Sequence, residues 1–150
     1  MRSGAAGRRK RANGKRSGAW IRPGKRWAIY LRDAWTCIWC GCALQPGEGN
    51  LDHLFPRGHL CRDNHERRIV TACVTCNTSR KAQRIGDWLR ILKDRGVLLS
   101  GVLARLRGVR YGTLDRAAGQ AAREAYRASL CGPLALEYDP FELFPEGIPV

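Results

Sequence analysis

The sequence predicts a small α+β fold, and three observations carry that expectation. Two matching C-x-x-C pairs, Cys37–Cys40 and Cys73–Cys76, bracket the middle of the chain; two short strand-like runs lie between them; helix-compatible segments flank the whole. At 150 residues the chain suits one domain with tails around a single modest core. Hydrophobic residues at 44% and charged residues at 27% are ordinary for a globular protein, which excludes wholesale disorder and a fibrous repeat. No run approaches the roughly 20 apolar residues of a membrane span. The basic N-terminus is not followed by an apolar signal core, so a cytoplasmic location is expected.

Taken in order, residues 1–22 read as a basic arm. Residues 1 to 32 hold 11 of the 27 Lys and Arg and none of the 13 acids, so most of the net charge of +14 sits in this arm. Interspersed Gly4, Gly7, Gly14 and Gly18 leave too few apolar groups to offset the entropy of ordering the arm alone. A nucleic-acid tether working through phosphate neutralisation is the reading we favour over a solubilising tail. Trp27, Ile29, Tyr30 and Leu31 then suggest an amphipathic helix over 24–34 that packs on the core, with base stacking by an exposed Trp as the lesser alternative.

Seven cysteines without an export signal point to metal rather than to disulfides. Each C-x-x-C knuckle aims two thiolates at one point. Two knuckles therefore supply the four sulfurs of a closed tetrahedral Zn²⁺ site, which holds a fold together but leaves no open position for chemistry. Cys42, Cys61 and Cys131 stand outside this pattern.

Between the knuckles, Leu51-Asp52-His53-Leu54 reads as a strand that Pro56 and Gly58 break, and Ile69–Ala72 reads as its hairpin partner. Adjacent strand residues point to opposite faces, so Asp52 and His53 can divide two tasks, one addressing a metal and the other a water. After the second knuckle, Asn77–Arg84 lacks Gly and Pro and predicts a helix, with Asn77, Arg80 and Lys81 on one face.

Cys37-x-x-Cys40, Asp52-His53 with Pro56 and Gly58, and Cys73-x-x-Cys76-Asn77 followed by Arg80-Lys81 together resemble the HNH endonuclease family over about residues 37 to 84. The resemblance implies a ββα-metal core on a structural zinc. It implies His53 as general base, and Asp52 with Asn77 holding a divalent cation against the scissile phosphate of DNA. The middle position of the family motif, usually Asn, holds Arg68 in this chain, and Asn64 is the nearest candidate for it. His59 and His65 share that loop; each can join the metal, contact phosphate or be solvated.

The chemistry supports those roles. Phosphodiester hydrolysis needs an activated nucleophile and neutralisation of charge building on the phosphate. An imidazole with its ordinary pKa of about 6.5 can take a proton from water at neutral pH. The hard oxygens of Asp52 and Asn77 suit Mg²⁺ or Mn²⁺. Arg57, Arg80, Lys81 and Arg84 read as phosphate contacts.

Downstream, Gly86-Asp87 predicts a break and N-cap for a helix from Trp88 to Asp94, closed by Gly96. A second helix is expected from Asp115 to Leu130, ended by Gly132-Pro133. The expected organisation is thus an arm at 1–22, a nuclease core at 23–95, a helical extension at 96–133 and an acidic, Pro-rich tail at 134–150. The function expected is a metal-dependent DNA endonuclease of the kind found in phages and mobile elements. The rival reading is a zinc-knuckle module that binds nucleic acid without catalysis.

Overall fold

The computed structural model describes residues 21–56 and 64–131. The readings made for the arm up to Trp20, for Arg57, His59 and Cys61, and for the tail lie outside those residues. The described chain is α+β: α1 (Pro23–Arg32), β1 (Gly49–His53), a 3-10 turn (Glu66–Arg68), β2 (Ile69–Cys73), α2 (Val74–Arg80), α3 (Ile85–Asp94), α4 (Leu99–Tyr111) and α5 (Arg116–Cys131).

Pro23 opens α1, where its fixed φ and missing N–H cost nothing. Just before it, Ile21 is buried in the core. Beyond the helix, Ala34 and Trp35 adopt positive φ (52° and 50°) and turn the chain back. Trp35 thereby meets Trp27 edge-on at 5.1 Å and Tyr30 at 4.8 Å. Trp27, Trp39 and Trp88 are all buried, so these rings are core rather than base-stacking platforms.

The strands β1 and β2 pair antiparallel, with Asp52 opposite Val70 and His53 opposite Ile69. Alternation assigns the two faces to two apolar clusters. Val70 and Ala72 join Ile38, Trp39, Trp88 and Leu92 on one side; Leu51 and Ile69 join Trp27, Ile29 and Tyr30 on the other. The outer edge of β2 is closed as well. Ile38 N donates to Thr71 O (2.9 Å), and Thr71 N donates to Asp33 Oδ2 (2.8 Å). Arg32 donates to Asp33 and to the carbonyls of Glu66 and Ile69, tying the end of α1 to the hairpin.

The helix expected at 77–84 begins earlier, at Val74, because Cys73 Sγ caps it by accepting from Cys76 N (3.3 Å). It stops at Arg80, since Lys81 takes φ +49°. Lys81 therefore leaves the helical face it was expected to share with Asn77 and Arg80. α3 also starts ahead of Trp88, with Arg84 at the N-cap position and no side-chain cap, and Asp87 sits in its first turn, where its charge complements the helix dipole. Gly96, at φ +80°, follows the end of α3.

α4 falls within the helical extension expected at 96–133, but its own bounds were not read from the sequence, which offers no side-chain cap and carries Gly101 and Gly108 inside the helix. Its stability comes from burying Val102 and Val109, seven residues apart on one stripe. α5 matches its expected span and packs on α1. There Gly119 lets the backbones approach, and Tyr126 reaches Trp27 at 5.3 Å. Among the described residues no helix is long and apolar enough to cross a membrane.

Candidate metal centre and the adjoining histidine

The two knuckles meet through the hairpin. Cys37 and Cys40 lie on a turn closed by Gly41 N donating to Cys37 O (2.9 Å), with Gly41 itself at φ +81°. Ile38, inside this turn, hydrogen-bonds β2, whose last residue is Cys73. Cys76 follows in the first turn of α2. The sulfur atoms of Cys37, Cys40, Cys73 and Cys76 all lie within 4.8 Å of one another, and Cys40 and Cys73 are 3.9 Å apart. Tetrahedral Zn–S bonds of about 2.3 Å require sulfurs about 3.8 Å apart, so a metal ion such as zinc fits this cluster.

The four thiols are unequal. A hydrogen bond from the Cys76 thiol, aided by backbone amides, holds Cys37 down at about 4 despite its burial. Burial chiefly pushes Cys73 up, and Cys76 is pushed up first by its bond to Cys37. Sequence reasoning missed one supporting residue: Arg105 of α4 donates to Ile38 O (2.9 Å) and Trp39 O (3.3 Å), clamping the first knuckle from outside. No local pattern marks that role, because the contact spans 67 residues.

His53 ends β1, half-buried, on the face turned away from the cysteine cluster. Its Nε2 lies 3.2 Å from Asn64 Oδ1. An amide oxygen only accepts, so in this contact Nε2 is the donor. Lys25 of α1 donates to the carbonyl of Asn64, holding the residue in place. Asn64 is therefore the residue brought to His53. Arg68 instead accepts from Leu54 N through its carbonyl and lays its guanidinium over Phe55, 5.9 Å from the ring centre. His65 caps the 3-10 turn, its Nδ1 accepting from Arg67 N at 3.3 Å.

Asp52 points the other way. It is 7% exposed, and its carboxylate accepts from Trp39 Nε1 (2.9 Å) and from Arg80 Nη1 (2.8 and 2.7 Å to its two oxygens). Burial pushes its carboxyl above the usual carboxylate range, opposed by the Arg80 charge and these hydrogen bonds. Arg80, expected as a phosphate contact, is 1% exposed and unavailable for that role. Its guanidinium also donates to His53 O (2.6 Å) and Leu54 O (2.8 Å) and lies over the Trp39 ring at 5.0 Å.

Asn77 sits half-buried one turn before Arg80 on α2, while Lys81 and Arg84 are exposed as a phosphate contact requires. A cleft of about 330 Å³ is lined by Leu54, Phe55, Pro56, Arg84 and Ile85. Compared with protein-family models, with curated proteins and with solved structures, the chain gives no match.

Proposed function

We propose that this protein is an endonuclease of HNH type that hydrolyses DNA phosphodiester bonds, with His53 as general base and a zinc ion in the four-cysteine cluster as its structural support. The observation that carries the reading is the contact between His53 and Asn64 at the end of a two-stranded hairpin leading into a short helix. In the neutral ring, a proton held on Nε2 by Asn64 leaves Nδ1 as the basic nitrogen, which is what a general base acting on water requires.

In this reading His53 Nδ1 takes the proton of an attacking water, Asn64 holds the ring against rotation, and Lys81 and Arg84 hold the phosphate backbone beside the cleft. A divalent cation, Mg²⁺ or Mn²⁺, is the expected source of charge neutralisation at the phosphate. The described residues fit that ion poorly. Asp52, its expected ligand, is buried with both oxygens engaged by Arg80, which leaves Asn77 of the expected pair.

That same engagement favours a second reading, a zinc-knuckle module that binds nucleic acid without cutting it. A supercoiled-plasmid assay with Mg²⁺, Mn²⁺ or EDTA separates the two. Metal-dependent nicking that disappears in His53→Ala, with DNA affinity nearly unchanged, is the outcome expected of a general base. Binding without cleavage under every metal condition would establish the second reading.

A further inference from the structure

In the expected arrangement Asp52 is a cation ligand and Arg80 a phosphate contact. The structure joins them to each other instead. They lie 28 residues apart, both almost fully buried, and share an ion pair of 2.7 Å. Arg80 has no route to DNA from that position. The same Nη1 also reaches the carbonyl of His53 and Nη2 reaches that of Leu54, where β1 ends and the chain leaves the sheet, while Nε is buried without a hydrogen-bond partner among the described residues.

We propose that Asp52 and Arg80 form a positioning clamp for His53 rather than a cation site, and that Trp39 couples this clamp to the metal knuckle. The inference rests on the reading of His53 as general base. Asp52 anchors the guanidinium, and the guanidinium fixes the peptide units on which the His53 side chain is mounted. Asn64 then sets the ring from the opposite end. Trp39 lies within the Cys37–Cys40 knuckle and donates to Asp52 Oδ2, so the position of the knuckle is transmitted to β1 through one hydrogen bond and one ring contact. Arg is required at position 80 because a planar fork can span a carboxylate and two carbonyls at once; an ammonium acts from a single point. Arg80 is thus a positioning residue, since it touches His53 only through the backbone.

The test uses zinc-loaded, full-length protein. Manganese binding, followed by electron paramagnetic resonance of the free ion, is compared between wild type and Asp52→Asn. The clamp predicts affinities within about twofold of each other, whereas a tenfold loss in Asp52→Asn would make Asp52 a cation ligand and overturn the proposal. Arg80→Lys is examined by the ¹⁵N resonances of the His53 ring at one fixed pH and by turnover. Displaced resonances are expected, with kcat lowered tenfold or more, KM within twofold and one zinc per chain retained. Unmoved His53 resonances would overturn the clamp. If Arg80→Lys fails to fold, Trp39→Phe, which removes one donor and keeps the ring, must shift the same resonances, and their constancy would equally overturn it. Absence of cleavage by wild type would sink the nuclease reading alone, because the His53 resonances report on the clamp without any turnover.

Discussion

Replacing Gly119 by Ala pits helix propensity against packing, and the structure gives the sign. In an isolated helix the change gains about 1 kcal/mol. In α5, a Cβ at this position would lie 2.5 Å from Ala28 N, 2.6 Å from Gly24 O and 2.7 Å from Ala28 Cβ, all on α1. Two of the three contacts are backbone, which cannot swing aside, so α5 must lift from α1 and loosen the Trp27–Tyr126 contact. Overpacking of this kind costs about 3 kcal/mol, leaving a net loss of about 2 kcal/mol. Gly108→Ala in α4 is the matched control, since a Cβ there meets nothing within 4 Å and the propensity gain of about 1 kcal/mol is kept. Urea unfolding, with zinc held saturating so that mass action is equal for all variants, should separate the pair by about 3 kcal/mol. At a slope of about 2 kcal/mol per molar, the midpoint of Gly119→Ala falls about 1 M below wild type, and that of Gly108→Ala rises by about half of that. A Gly119→Ala protein as stable as Gly108→Ala would refute the close α1–α5 approach. It would also mean that α5 does not brace α1, the helix from which Lys25 holds Asn64.

Cys73→Ser should abolish stoichiometric zinc and unfold the hairpin, because a structural zinc supplies about 10 kcal/mol or more to a core this small; elemental analysis and circular dichroism of the purified variant check it. Arg105→Ala should leave one zinc per chain but speed its release to a chelator, since the Ile38 and Trp39 carbonyls lose their clamp; an unchanged release rate would remove α4 from the support of the knuckle. Asn64→Ala should lower kcat with little change in DNA affinity, as expected of a residue that orients His53, and an unchanged kcat would reassign that role. Deleting residues 1 to 19 removes Arg2, Arg8, Arg9, Lys10, Arg11, Lys15 and Arg16. Titrations at several salt concentrations should then show weaker DNA binding with a flatter salt dependence, by about 0.9 in slope for each lost phosphate contact on duplex DNA. An identical slope would make the arm a solubilising tail.

The two knuckles, both strands and the α1 and α5 helices were legible in the sequence because their signals are local. Fixed cysteine spacing, period-two alternation, an N-terminal Pro and an alanine-rich run each act within a few residues. The bounds of α4 within the expected helical extension were not legible, since Gly101 and Gly108 weaken its intrinsic preference and burial of Val102 and Val109 against distant elements holds it as a helix. The choice of Asn64 over Arg68 beside His53 also depended on tertiary structure: Lys25, on a helix 39 residues away, holds the backbone that presents the amide. Arg80 marks the boundary most sharply. A basic residue at the end of a short helix reads as a surface phosphate contact, and the ending of α2 at Lys81 is a matter of backbone conformation. Whether its guanidinium faces solvent or the interior is decided by a buried carboxylate on another element and by Trp39 above it. Burying an Arg is tolerable only when such partners repay its lost hydration, and no pattern within α2 records where those partners are.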